Sequence, residues 1–69
     1  MQVSARNALK GTIKEVHPGA VNSEVVLEIA PGVEVVAIIT KSSVENLKLE
    51  KGKQAYAIIK SSDVMISID

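Results

Sequence analysis

Strand-length apolar segments separated by glycine and proline turns recur along the whole of this 69-residue chain. The clearest alternation runs from Ser23 to Ile29: Val25, Leu27 and Ile29 face one side, and Glu24 and Glu28 flank Val26 on the other. Pro31-Gly32 then predicts a hairpin turn into a third segment, Val33 to Thr40. Short strands at regular spacing are typical of small sandwiches and barrels. The sequence therefore predicts an all-β fold.

Five strands and one short helix are predicted. The strands are Val3–Val16 (bent at Gly11), Ser23–Ile29, Val33–Thr40, Ala55–Ile59 and Asp63–Ile68, the last with Val64, Ile66 and Ile68 facing inwards. Ser42-Ser43-Val44-Glu45 fits a capping box with Ser42 as N-cap, and Gly52 limits the helix to a turn or two. A helix between the third and fourth strands indicates a small OB-like Greek-key barrel, with an SH3-like barrel as the alternative.

The chain is expected to form one domain, residues 1–69, that is stabilised by self-association. A single domain this short is marginal alone, and it has no cysteine and only one histidine, which excludes disulfides and disfavours a zinc site. Its residues are 46% hydrophobic. Val36 and Ile38 give the third strand a second apolar face, which we expect another subunit to cover.

Composition also disfavours several functions. Eight basic residues balance eight acidic ones and Tyr56 is the only aromatic, whereas nucleic-acid binding requires phosphate neutralisation and stacking platforms. His17 has no patterned partner and the acids are scattered, so we expect no enzyme. The chain shows neither a signal peptide nor an apolar run near the roughly 18 residues that span a bilayer, so we expect a cytoplasmic protein without membrane contact.

Hydrogen-bond donors cluster at three places, with no carboxylate among them. The clusters are Ser4-Ala5-Arg6-Asn7, Thr40-Lys41-Ser42-Ser43 and Lys60-Ser61-Ser62. Each alone has an ordinary interpretation, as a frayed tail, a helix cap or the solvated end of a strand. Together, and with the free N–H groups of a helix start, they suit a small, fully ionised oxyanion if a compact fold brings them together.

Four segments resemble the molbindins, the Mop family of small molybdate-binding proteins, which is related to domains of molybdate transporter ATPases and molybdate-responsive regulators. They are Ser4-Ala5-Arg6-Asn7-x-Leu9-Lys10-Gly11, Val21-Asn22-x-Glu24-Val25, Ile39-Thr40-x-x-Ser43 and Ala57-x-Ile59-Lys60-Ser61. The resemblance extends from Val3 to Ile68 and implies an OB-like barrel. It also implies a hexamer, built as a trimer of dimers, with molybdate between subunits and a role in intracellular molybdenum storage.

The same resemblance implies the site residues. The anion-contacting positions map to Ser4, Ala5, Arg6, Thr40, Ser43, Lys60 and Ser61, and a second oxyanion site maps loosely to Val21 and Asn22. No metal is ligated directly by side chains. If Arg6 and Lys60 come from different subunits, anion binding and assembly are coupled.

A donor-only site suits molybdate chemically. Molybdate at neutral pH is a tetrahedral dianion without a proton to donate, so a carboxylate facing it is costly. Hydrogen phosphate carries a proton, so a site without a carboxylate selects against it, and sulfate is smaller than molybdate, so cavity size must exclude it. Tungstate nearly matches molybdate in size and charge and is expected to bind too. Two alternatives stay open: a structural oligomerisation module whose donors only cap strand ends, and an OB-type nucleic-acid-binding domain.

Overall fold

The computed structural model describes residues 2–69 and has an all-β fold with one short helix, as predicted. The elements in chain order are β1 (Asn7–Pro18), β2 (Asn22–Ala30), β3 (Val33–Thr40), α1 (Lys41–Leu47), β4 (Gln54–Ile59) and a 3-10 turn (Ser61–Asp63). The strands form one curled antiparallel sheet in the order β3-β2-β1-β4. β3 and β4 are therefore the two edges of this sheet.

β1 is the longest strand, and its two halves have different partners. Residues 7–12 pair with β4, and residues 12–18 pair with β2. The register shifts between Ile13 and Glu15, an irregularity of the kind that bends a strand. Gly11 allows β2 to approach closely, because a Cβ there would lie 2.5 Å from a backbone oxygen of β2.

The core lies on the inner face of the curled sheet. Ile13, Val25 and Leu27 are its buried centre, and half-buried residues of β3, β4 and α1 pack around them. The alternation along β3 is confirmed: Val36 is 57% exposed and Ile38 is 63% exposed, on the face opposite the core. That outer face is the second apolar face expected from the sequence.

The fifth strand is the main error of the sequence prediction, because the structure contains four strands. Residues 64–69 form no strand, and the side chains predicted to face inwards are exposed: Val64 46%, Ile66 87% and Ile68 94%. A 3-10 turn, in which the Asp63 N–H donates to the Lys60 carbonyl over 2.9 Å, separates this segment from β4. Alternation indicates a strand but does not specify its partner, and among residues 2–69 the segment pairs with none.

Two element boundaries in the structure also differ from the predicted ones. The first strand starts at Asn7 rather than Val3. The N-cap of α1 is Thr40, not Ser42, because Thr40 still has the extended conformation of β3 and its Oγ1 accepts from the Ser43 N–H. Nowhere in residues 2–69 is a helix long and apolar enough to traverse a bilayer.

Replacing Ser23 by alanine is expected to stabilise the fold. Ser23 is 2% exposed, and its hydroxyl is without a hydrogen-bond partner among residues 2–69. An unsatisfied buried polar group costs about 1–3 kcal/mol, so Ser23→Ala should raise the free energy of unfolding by about 1 kcal/mol. Urea denaturation measures this change, with exposed Ser67→Ala as the control. A loss of stability would show that the hydroxyl has a partner.

Candidate functional site

The basic clusters near the two ends of the sequence meet where the pairing of β1 with β4 ends. Asn7 pairs with Ile59 in the last register position of these strands. Arg6 precedes Asn7 and Lys60 follows Ile59, so the two cations emerge side by side. Directly opposed residues of antiparallel strands, such as Asn7 and Ile59, have Cβ atoms roughly 5 Å apart. We call this end the basic half-site; it comprises Ser4, Ala5, Arg6, Lys60 and Ser61.

The cations of the basic half-site are uncompensated. Among residues 2–69, neither Arg6 nor Lys60 forms an ion pair with a carboxylate, and both are exposed. Lys14 behaves differently: its Nζ donates to Glu34 over 2.6 Å, and this hydrogen bond raises the pKa of the Lys14 ammonium. Two like charges held close together repel each other, and an anion placed between them would reverse the sign of that interaction.

Thr40 and Ser43 form a second group, at the junction of β3 and α1. The Thr40 hydroxyl donates to the Ser43 Oγ over 2.8 Å, and the Ser43 N–H donates to the Thr40 Oγ1 over 3.1 Å. Since Ser43 accepts from Thr40, its own hydroxyl proton is free to donate outwards. We call this pair the hydroxyl half-site.

Val21 and Asn22, the residues of the predicted second site, lie beside the hydroxyl half-site. Asn22 is the register partner of Thr40, and the Lys41 N–H donates to the Val21 carbonyl over 2.8 Å. Both Val21 and Asn22 are exposed. The structure thus brings the middle donor cluster next to the second-site residues rather than next to the basic half-site.

The two half-sites lie at opposite ends of β1. The basic half-site adjoins Asn7 at the start of this strand. The hydroxyl half-site lies across β2 from its end at Pro18. The strand has twelve residues that each add about 3.3 Å, so its length is many times the diameter of a tetrahedral oxyanion. One chain therefore brings two of its three donor clusters together, with Arg6 and Lys60 next to the same pair of strand ends.

Asn7 is the residue of this region to which sequence reasoning gave no role. It belongs to the first donor cluster, but only its pairing with β4 shows what its side chain does. The Asn7 Nδ2 donates to the Ile59 carbonyl over 3.3 Å, which joins the strand ends that carry Arg6 and Lys60. The available sequence signal was asparagine, a residue depleted in strands, within the predicted strand Val3–Val16.

The sequence matches a known domain family and a known molybdenum-pterin-binding protein. The TOBE domain model matches residues 3–66. Molybdenum-pterin-binding protein 3 from Clostridium pasteurianum is 52% identical over 66 residues, which is 96% of this chain and 97% of that protein.

Two solved structures match over nearly their whole length. MopII from Clostridium pasteurianum has a TM-score of 0.91 and 46% identity, covering 97% of this chain and 100% of that one. A molybdate-binding protein from Sporomusa ovata also has a TM-score of 0.91, with 35% identity over 99% of this chain and 100% of its own. The predicted resemblance to the Mop family is confirmed.

Proposed function

Because the chain belongs to the TOBE-domain family and its relatives are molybdenum- and molybdate-binding proteins, we propose that it binds molybdate reversibly and performs no catalysis. The observation that carries this proposal is that Arg6 and Lys60, which form no ion pair within residues 2–69, directly adjoin Asn7 and Ile59, the last paired residues of β1 and β4. A dianion between them would relieve their repulsion and form charge-assisted hydrogen bonds worth about 1.5–3 kcal/mol each.

Each anion is proposed to lie between two subunits. The geometry that supports this is the separation of the half-sites along β1, which leaves either one incomplete as a cage for a four-oxygen anion. In this proposal one subunit supplies the basic half-site and a neighbouring subunit supplies the hydroxyl half-site. Molybdate would then lie between the cations of one subunit and the outward Ser43 hydroxyl of the other. Val21 and Asn22 are proposed as the second oxyanion site.

The subunits are proposed to assemble as a hexamer, a trimer of dimers, from single-domain chains spanning residues 1–69. Two exposed apolar features support self-association. The outer face of β3 carries Val36 and Ile38, and the segment 64–68 presents apolar side chains without a partner among residues 2–69. An apolar groove of about 390 Å³ lies between the inner faces of the edge strands β3 and β4, where a strand of a second copy would find unpaired backbone on both sides.

The biological role proposed for this assembly is storage and homeostasis of molybdenum in the cytoplasm. A protein that binds molybdate reversibly and performs no reaction on it acts by holding and releasing it. Tungstate is proposed to bind as well, because a donor-only site distinguishes oxyanions by protonation and size, and tungstate matches molybdate in both. Hydrogen phosphate retains a proton for which neither half-site offers a carboxylate acceptor.

Isothermal titration of the protein with molybdate tests the function, with sulfate and phosphate at equal ionic strength as controls. We expect saturable heat with molybdate, none with the controls, and a thermal midpoint that rises with molybdate concentration, because a ligand bound only by the folded state stabilises it. Absence of molybdate heat at several temperatures, with an unchanged thermal midpoint, would instead favour a structural oligomerisation module.

A further inference from the structure

We propose that Asn7 is a positioning residue for the oxyanion site. In this inference, which rests on the proposed function, its carboxamide holds the ends of β1 and β4 at the separation at which Arg6 and Lys60 reach one anion. Asn7 itself need not touch the ligand. Its contribution is to fix in advance a pair of cations that would otherwise move apart.

The supporting contact is the hydrogen bond from the Asn7 Nδ2 to the Ile59 carbonyl, 3.3 Å long and partly buried. It joins residues 52 positions apart in sequence. Of the side-chain-to-backbone hydrogen bonds within residues 2–69, it alone links two strands. Its location is the last paired position of the β1–β4 ladder, immediately before the two cations.

The need for such a contact follows from charge and from ladder geometry. Strand pairing stops at Asn7 and Ile59, so no ladder hydrogen bond holds Arg6 against Lys60. The terminal residues of a strand pair open most readily, and two like charges across the pair favour opening further. A side-chain hydrogen bond at the final pair opposes this movement in the absence of ligand.

Residue type supports the same interpretation. Asparagine is depleted in strands, so intrinsic propensity does not explain its presence at a paired, half-buried position. A β-branched residue would pack there at least as well but would have no donor for the Ile59 carbonyl. The carboxamide therefore points to a requirement for the hydrogen bond, at the one place where it controls the spacing of Arg6 and Lys60.

Titration of Asn7→Ala with molybdate tests the inference. We expect affinity to fall about tenfold, as the loss of a hydrogen bond that organises a charged site implies. Ala57→Gly is the matched control: it weakens the same β1–β4 ladder at a neighbouring inner-face position, where Ala57 pairs with Leu9, without touching the carboxamide. This control should lose stability in urea yet keep its molybdate affinity within about twofold.

Two further readouts separate positioning from general support of the fold. Added salt should restore stability to Asn7→Ala more than to Ala57→Gly, because screening weakens the repulsion between Arg6 and Lys60, and the difference should disappear when Lys60→Gln is added to both. Asn7→Asp places a carboxylate beside the cations. It should be no less stable than Asn7→Ala but should bind molybdate more weakly, so that affinity and stability move in different directions.

The outcomes are distinguishable. If the wild-type protein binds molybdate and Asn7→Ala binds it equally well, or if Ala57→Gly loses as much affinity as Asn7→Ala, the positioning role is overturned while the proposed function stands. If the wild-type protein does not bind, the proposed function itself fails. Should Asn7→Ala not fold, Asn7→Gln decides: weaker binding at unchanged stability supports positioning, and equal binding overturns it.

Discussion

Replacing Arg6 or Lys60 by alanine is expected to weaken molybdate binding by about ten- to a hundredfold each. Each substitution removes a charge-assisted hydrogen bond worth about 1.5–3 kcal/mol, and tenfold in affinity corresponds to about 1.4 kcal/mol. The fold should be unaffected or slightly more stable, because each change also removes one of two repelling, exposed cations. Titration calorimetry at fixed ionic strength measures affinity, and urea denaturation measures stability.

Lys10→Ala is the matched control for these two variants. Lys10 is an exposed cation on β1, paired with Tyr56 and outside the basic half-site. Its removal lowers the net charge by the same amount, so any general effect of charge on an anion appears equally in all three variants. Affinity equal to wild type in both Arg6→Ala and Lys60→Ala would exclude the basic half-site as the place of binding.

Mixing two defective variants is expected to restore molybdate binding if the anion lies between subunits. The first variant carries Arg6→Ala and Lys60→Ala, which remove the charge of the basic half-site. The second carries Thr40→Ala and Ser43→Ala, which remove both hydroxyls of the other half-site. Neither variant alone contains a complete site. In mixed oligomers formed by refolding the two together, about a quarter of the interfaces should combine two intact half-sites with wild-type affinity.

Calorimetry of the mixture should therefore show a tight class of sites at about a quarter of the wild-type number, which neither parent shows. Separately refolded parents, combined only afterwards and kept cold, serve as the unmixed control. If the site lay within one chain, every subunit of the mixture would still lack one half of it. If repeated mixtures show only the average molybdate binding of the two parents and no tight class of sites, the interface arrangement is contradicted.

The core elements were predictable because their signals are local. Alternation from Ser23 to Ile29 identified β2. The structure buries Val25 and Leu27 on one face of it, and it also buries Val26, which is 7% exposed, on the other. The Pro31-Gly32 turn was also placed between the correct strands, and Gly32 has the positive φ of 76° that such a turn uses. The helix was located correctly, but its N-cap was not: the capping-box pattern selects Ser42, whereas Thr40, which has no Glu or Gln three residues on, caps the helix because β3 ends there.

The end of the chain shows where local signals fail. Val64, Ile66 and Ile68 alternate as well as any strand in the sequence, yet all three are exposed. A pattern of side chains states which face of a strand is apolar. It does not state whether the neighbour that covers this face belongs to the same chain.

The amino-acid sequence by itself determined the chemical character of the candidate site: three groups of cations, hydroxyls and amides without a carboxylate among them. Only the tertiary structure decided how these groups are distributed, with Arg6 beside Lys60 at one end of β1 and Thr40 beside Ser43 at the other. The physical reason is register. Donor chemistry is a property of each residue, whereas proximity depends on which strands pair and where each pairing ends, and those follow from long-range contacts.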